Sequence, residues 1–153
     1  MKILVSACLT GEKCRYDGKS KPNDAVKLLE EHFELIPVCP ETLGGLSIPR
    51  TPSEIVGERV LSEDGEDRTE QFVIGAQRAL QIAKENGCKF AVMKEKSPSC
   101  GSGLIHDGNF SGQLIKGWGV AAKLLKDNGI RVIGESQIDE LLKQKAQHIK
   151  SQS

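Results

Sequence analysis

The sequence lacks an excess of charge of either sign. Its 21 Lys and Arg residues equal its 21 Asp and Glu residues, so the formal net charge is zero. Proteins that bind polyanions usually concentrate positive charge on one surface, so this balance argues against nucleic acid as a partner. With 38% hydrophobic and 27% charged residues among 153, the chain has the composition of one ordinary folded domain, long enough to bury a core without disulfides.

Long apolar runs are also missing. No run approaches the roughly 20 residues that cross a bilayer, which argues against a membrane protein. The segment "MKILVSA" has one Lys and an apolar stretch too short for a signal peptide, so it predicts a first buried strand instead. We therefore expect a cytoplasmic protein, in which thiols stay reduced and grouped cysteines more often bind metals or act in catalysis than form disulfides.

Several familiar motifs are absent. None of the five cysteines forms a Cys-x-x-Cys pair, which disfavours zinc ribbons, zinc fingers and thioredoxin-like sites. Their odd number argues against a complete disulfide framework. Neither a Gly-x-Gly-x-x-Gly motif nor a P-loop follows a predicted strand, so the sequence does not indicate a nucleotide.

Segments typical of strands alternate with segments typical of helices. The strand candidates are the short apolar runs "KILVSA", "FELIPV", "CKFAVMK" and "IRVIG". The helix candidates are about residues 25–32 after a cap at Asn23 or Asp24, "DRTEQFVIGAQRALQIAKENG" ending at Gly87, "WGVAAKLLKDNG", and "SQIDELLKQKA" capped by Ser136. This alternation predicts an α/β fold with a mainly parallel sheet covered by helices on both faces. We expect one domain over residues 1–147 and a frayed tail over 148–153.

Two long segments interrupt the alternation. Residues 46–67, "LSIPRTPSEIVGERVLSEDGED", are expected to form a long excursion with a short hairpin near "GERVLSEDG". Residues 95–117, "EKSPSCGSGLIHDGNFSGQLIKG", are expected to form a glycine-rich loop. Loops of this length inside one domain are usually functional.

Three cysteines fall where the predicted strands end. Cys8 ends the first strand, Cys39 ends the second, and Cys100 lies in the loop after the third. Because ligands bind at the carboxyl ends of parallel strands, we expect these three thiols to share one site. Cys88 precedes the third strand and is predicted to be a small buried apolar residue at the opposite edge. Cys14 is a candidate fourth thiolate, a thiol beside the site, or a surface residue.

Three thiolates without an evident fourth ligand indicate a metal centre with one open position. Zinc with three Cys and a water satisfies this pattern, and so does an iron–sulfur cluster with one iron not held by cysteine. His32 and His106 are alternative ligands, of which His106 is the better candidate. Glu41, two residues after Cys39, is a candidate proton-handling group, with a solvated loop glutamate as the alternative.

The motifs taken together resemble the bacterial thiouracil desulfurase (desulfidase) family over residues 2 to about 135. The segments that carry the resemblance are "VSACLTGEKCRYDG", "VCPETLGGLSIPRTPSE", "SPSCGSG", "DGNFSGQLIKGWGVAAKLL" and "GIRVIGE". The resemblance implies a three-layer Rossmann-like domain that carries a [4Fe-4S] cluster held by three cysteines. Cys8, Cys39 and Cys100 match those ligands, and Cys14 belongs to the first motif without a clear ligand role.

The resemblance also implies an activity. It predicts an enzyme that removes sulfur from a small thiolated heterocycle of the thiouracil type without net redox change, with an open iron that binds the substrate sulfur. Glu41 would activate water and shuttle protons, and Ser97, otherwise an ordinary turn residue, would position the thioamide. Five residues of the motif loops are predicted to contact substrate: Arg15, Tyr16, Asp17, Arg50 and Ser53. At position 106 this chain has His, where the resemblance leads us to expect Tyr in many members of the family.

Two other functions remain open at this point. One is a non-catalytic module that carries a cluster or sulfur, and the other is a zinc-binding protein of structural or regulatory role. Glu41 beside three thiolates favours the enzyme, because a closed structural site would not need a carboxylate there.

Overall fold

Alternating strands and helices build the protein, as a computed structural model that describes residues 1–143 shows. The predicted domain end at residue 147 and the predicted tail at 148–153 lie outside the described residues. In chain order the elements are β1 (Lys2–Ser6), a 3₁₀ helix (Ala7–Thr10), α1 (Asp24–Glu30), β2 (Glu34–Val38), α2 (Pro40–Leu43), β3 (Ser53–Val56), β4 (Arg59–Ser62), α3 (Thr69–Glu85), β5 (Phe90–Met93), β6 (Ser102–His106), β7 (Leu114–Trp118), α4 (Val120–Asp127), β8 (Arg131–Gly134) and a second 3₁₀ helix (Glu135–Gln137). Residues 138–143 continue as a helix.

The four predicted strands form one sheet. Their order is β2-β1-β5-β8, and every neighbouring pair is parallel. The first strand is buried after its first residue, as a continuous apolar run in a covered parallel sheet should be. The prediction of a mainly parallel sheet is confirmed.

Helices cover both faces of this sheet. Side chains alternate along β1, so that Ile3 and Val5 pack on one face and Leu4 packs on the other. The first face packs against α1 and the helix at 138–143, and the second packs against α3 and α4. The protein therefore has the predicted three layers. Among the described residues, no helix has both the length and the apolar character that crossing a membrane requires.

The helix ends follow the local sequence in two places and depart from it in one. The Asn23 side chain accepts the N–H of Ala25 at 2.8 Å and caps α1 as predicted. Gly87, at φ 66°, follows α3 as the left-handed residue that the sequence predicted. Ser136 is not a cap: it lies inside the second 3₁₀ helix, and its N–H donates to Glu95 Oε1 at 2.7 Å.

The two long segments each contain an antiparallel hairpin. In the first, β3 pairs with β4 and the chain turns at residues 57–58, close to the predicted position. The second was predicted as a glycine-rich loop, and this was wrong from residue 102 onward, where β6 pairs with β7. The glycines in this segment made it resemble a loop in the sequence. In the structure Gly103 and Gly117 lie opposite each other, and a Cβ at Gly117 would lie 2.8 Å from the Ile105 side chain. The glycines thus permit close packing inside the hairpin.

Candidate active site

Three neighbouring strands deliver three cysteines to one edge of the sheet. Cys8 lies in the 3₁₀ helix after β1, Cys39 precedes α2 directly after β2, and Cys100 follows β5. Since β1 lies between β2 and β5, the three segments are adjacent. All three cysteines line a single cavity of about 460 Å³, and so does Cys14. Cys88 is buried at the amino end of β5, as predicted.

The thiols at this edge interact with one another. The Cys39 thiol lies 3.8 Å from the Cys14 carbonyl oxygen. Contact with the Cys14 thiol, together with burial, raises the pKa of Cys39. A hydrogen bond with Cys39 lowers the pKa of Cys14, but contact with Cys8 and burial outweigh it and bring that pKa to about 11. Burial raises the pKa of Cys100 to about 12. The thiolate forms therefore need a compensating positive charge, which a bound metal supplies.

The donor types at this edge bear on the kind of metal centre. Within residues 1–143, no group of three Cys, His, Asp or Glu side chains forms a ready-made site for a single metal ion. Four thiols line the cavity, and thiolate ligands suit both zinc and an iron–sulfur cluster.

Glu41 is held beside the cysteines by a buried ion pair. Its Oε1 lies 3.1 Å from Arg50 Nε, with side-chain exposures of 15% for Glu41 and 4% for Arg50. The same guanidinium donates to the carbonyl oxygens of Cys14 and Ser47, each at 3.0 Å. Arg50, predicted to contact substrate, lines the cavity, and its guanidinium is also bonded within the protein. It fixes the Glu41 carboxylate and the Cys14 loop in one position.

Close helix packing sets the position of α2, which carries Glu41 in its first turn. A Cβ at Gly75 of α3 would lie 1.8 Å from the Pro40 carbonyl oxygen, and a Cβ at Gly44 would lie 1.9 Å from that of Gln71. Both contacts are far shorter than van der Waals distance, so α2 and α3 pack this closely only because both residues are glycine. The packing holds Glu41 at the sheet edge.

Two serines connect the Cys100 turn to Glu41. Ser97 Oγ accepts the N–H groups of Ser99 and Cys100, both at 3.1 Å, and lies 3.0 Å from Ser99 Oγ. The Ser99 hydroxyl donates to Glu41 Oε2 at 2.9 Å. Because the Ser97 oxygen already accepts two bonds, its own hydroxyl donates to Ser99. Ser97, Ser99 and Glu41 therefore form one hydrogen-bonded chain, which we call the serine–glutamate chain.

Ser99 was not among the residues predicted from the sequence. It is buried, with 2% of its surface exposed, and it is the member of the chain that touches Glu41. The sequence signal for it was its place between Ser97 and Cys100. As a lone serine in a turn, it had the same ordinary interpretation as Ser97.

Of the other predicted substrate contacts, three line the cavity and one does not. Arg15 and Tyr16 both line the cavity. The Arg15 guanidinium lies over the Tyr16 ring, 5.8 Å from the ring centroid. Ser53 is buried on β3 and also lines the cavity, and its hydroxyl accepts from Arg68 at 3.2 Å. The described residues that line the cavity do not include Asp17, whose Oδ1 accepts the Lys19 N–H at 3.0 Å in an exposed turn.

The two histidines differ in position. His32 is exposed beyond the end of α1 and is not among the described residues that line the cavity. His106 ends β6, is half-buried and lines the cavity. Its Nδ1 is buried and has no hydrogen-bond partner within the described part of the chain.

Comparisons with known proteins bear on the family and the fold of this chain. A family model described as 2-thiouracil desulfurase matches residues 3–137. The uncharacterized protein YbbK of Bacillus subtilis (strain 168) is 43% identical over 150 residues, covering 92% of this chain and 99% of that protein. A solved structure described as the [4Fe-4S]-dependent thiouracil desulfidase TudS is 44% identical, with a TM-score of 0.89, and covers 95% of this chain and 97% of that one. These matches confirm the predicted resemblance and the predicted fold class.

Proposed function

Because this chain belongs to the 2-thiouracil desulfurase family, we propose that it removes the sulfur atom of a small thiolated heterocycle such as a thiouracil. The family and the similar solved structure are C–S bond-cleaving enzymes, as the sequence predicted. One observation carries the proposal for this chain: Glu41, fixed by Arg50 and Ser99, lines the same cavity as three converging cysteines. A closed structural metal site would leave such a carboxylate without a purpose.

The residues at the sheet edge fit an iron–sulfur cluster. Cys8, Cys39 and Cys100 would hold a [4Fe-4S] cluster as its only protein ligands, with Cys14 beside them. Their thiols are soft ligands, and the raised pKa values of Cys39 and Cys100 mean that those two sulfurs favour either a proton or a metal. When bound, such a cluster supplies a Lewis-acidic iron, free of cysteine, that binds the substrate sulfur and polarises the C=S bond.

The serine–glutamate chain supplies the proton transfers. Replacing C=S by C=O consumes one water and releases hydrogen sulfide, so the reaction needs proton transfer and no net electron transfer. Glu41 accepts a proton from the attacking water, since Arg50 and Ser99 hold its carboxylate in one orientation beside the cysteines. Ser97, at the other end of the chain, would position the thioamide group of the substrate by turning its hydroxyl hydrogen from Ser99 to the substrate.

The cavity suits a small molecule. Its volume of about 460 Å³ lies within the usual range of ligand sites and exceeds the volume of a single pyrimidine ring. Arg15 and Tyr16 at the cavity and Ser53 on β3 remain proposed substrate contacts. The balanced charge of the chain supports a free heterocycle over a nucleic acid. Reduced thiols of this kind suit a reducing compartment such as the cytoplasm.

Anaerobic reconstitution tests the proposal. The purified protein is incubated with iron and sulfide, examined by absorption and electron paramagnetic resonance spectroscopy, and assayed for sulfide release from 2-thiouracil. We expect a [4Fe-4S] signal, and we expect each 2-thiouracil consumed to give one uracil and one sulfide. Failure to assemble a cluster together with tight zinc binding would overturn the proposal. An assembled cluster with no sulfide release from any thiocarbonyl would instead indicate a cluster or sulfur carrier.

A further inference from the structure

The cavity has a second side, formed by the two hairpins, that the chemistry above does not use. Glu54 of β3, His106 of β6, and Phe110 and Gly112 of the loop between β6 and β7 all line it. These residues come from segments other than the three strand ends that carry the cysteines. They therefore meet a different part of any molecule that the cavity holds.

Glu54 places a buried carboxylate on this side. Only 7% of its surface is exposed. Its Oε1 accepts the N–H of Gly108 at 2.9 Å and that of Phe110 at 3.2 Å, which ties the β6–β7 loop to β3. Within the described residues, no hydrogen bond or ion pair engages its other oxygen, Oε2. Oε2 is not among the buried atoms that lack a partner, so it keeps accessible surface, and because Glu54 lines the cavity this oxygen can accept an N–H group from a bound molecule.

His106, which lines the same cavity, provides a second group without a hydrogen-bond partner in the described part of the structure. Its Nδ1 is buried and has no partner within residues 1–143. The two backbone bonds from residues 108 and 110 to Glu54 bring the segment after His106 against that carboxylate. The imidazole nitrogen can donate or accept according to its tautomer, whereas the carboxylate only accepts. The pair thus matches a ligand edge that has one N–H group and one neighbouring polar atom.

We propose that Glu54 and His106 recognise the polar ring edge of the substrate that lies away from its reacting sulfur. The inference rests on the proposed function, in which the substrate is a thiolated heterocycle. Glu54 Oε2 accepts a ring N–H, and His106 Nδ1–H donates to the adjacent ring carbonyl, with Phe110 beside the ring. This arrangement selects a thiolated pyrimidine with an N–H and a C=O side by side over a ring that lacks the carbonyl.

Binding of two sulfur-free rings to the reconstituted protein tests this inference independently of turnover. Uracil carries the N–H and C=O edge, and pyrimidin-2-one lacks the second carbonyl. Calorimetry gives the affinity of each for the wild-type protein and for Glu54→Gln, His106→Phe and His106→Asn. Lys116→Ala, an exposed position on β7 outside the cavity, is the control.

Each variant has a distinct expected result. Glu54→Gln keeps an oxygen for the two loop N–H groups but replaces the free acceptor, so uracil binds roughly 10-fold more weakly. His106→Phe weakens uracil by a similar factor of roughly 10 and leaves pyrimidin-2-one unchanged. His106→Asn, whose amide takes the place of Nδ1, restores most of the uracil affinity. KM for 2-thiouracil follows the uracil affinities while kcat changes little.

The outcomes separate this inference from the proposed function. Equal uracil affinity in the wild-type protein, Glu54→Gln and His106→Phe would overturn it, as would a wild-type protein that binds no uracil. Uracil binding that depends on both residues supports it even if no sulfide is ever released, in which case only the proposed function fails. If His106→Phe weakened both rings equally, the contact between His106 and the carbonyl would be excluded.

Discussion

Cysteines lie at both ends of the central sheet, and their surroundings differ between the two ends. Cys88, at the amino end, is buried, and burial raises the pKa of its thiol. Cys100, at the carboxyl end, is equally buried but has Ser6, Ser99, Cys39 and Glu41 around its sulfur. Burial alone therefore does not distinguish the two thiols. What distinguishes the carboxyl end is that several strands bring thiols, hydroxyls and a carboxylate together.

Removing the thiols one at a time gives the largest expected effect. Cys8→Ala, Cys39→Ala and Cys100→Ala should each abolish the cluster signal and sulfide release completely after anaerobic reconstitution, because a three-cysteine cluster has no spare ligand. Cys88→Ala should assemble the cluster and retain activity. Cys14→Ala should also assemble it. If Cys88→Ala alone destroyed the cluster, the contrast between the two ends would be wrong.

The carboxylate gives the next largest effect. Glu41→Gln keeps an oxygen for Arg50 but removes the proton acceptor, so the cluster should assemble normally while kcat falls about 10²–10⁴-fold. The matched control is Glu58→Gln in the exposed turn of the first hairpin, which should leave kcat unchanged. A Glu41→Gln variant with full turnover would remove Glu41 from the reaction and favour a carrier function.

Loss of one hydroxyl should have a smaller effect. Ser99→Ala removes the hydroxyl that links Ser97 to the Glu41 carboxylate, so we expect kcat to fall roughly 10-fold with an unchanged cluster spectrum. Ser97→Ala should cost more, because it also removes the acceptor of two backbone N–H groups in the Cys100 turn. Equal, unaltered activity in both variants would show that the serine–glutamate chain does not carry protons.

The fold and the cysteine edge could be predicted because both depend on local pattern. Short apolar runs marked the four strands, and a parallel sheet delivers every strand's carboxyl end to the same side. The positions of Cys8, Cys39 and Cys100 after their strands then placed them together without any knowledge of distant contacts. The same rule set Cys88 apart.

What the sequence did not reveal depends on contacts between distant residues. The bond from Ser99 to Glu41 joins positions 58 apart, and that from Phe110 to Glu54 joins positions 56 apart. Neither pair has a motif of its own. The glycines of β6 and β7 suggested a loop because glycine has a low strand propensity. That propensity does not reveal where a strand needs a small residue for close packing. The separation of Asp17 from the cavity follows from a local turn that no pattern predicted.

The contrast between the cysteines at the two ends of the sheet should also produce a small pH dependence in the stability of the cluster-free protein above pH 9. A free thiol has an ordinary pKa near 9.0, whereas folding raises the pKa of Cys14 to about 11 and that of Cys100 to about 12. Between pH 9 and 12 the unfolded state therefore binds fewer protons than the folded state, so stability is full below pH 9 and falls as pH rises. Urea midpoints measured at intervals above pH 9 should decline, and Cys100→Ala should flatten that decline more than Cys88→Ala, whose thiol has the smaller shift. Equal slopes in the two variants would mean that folding raises the pKa of Cys100 no further than that of Cys88.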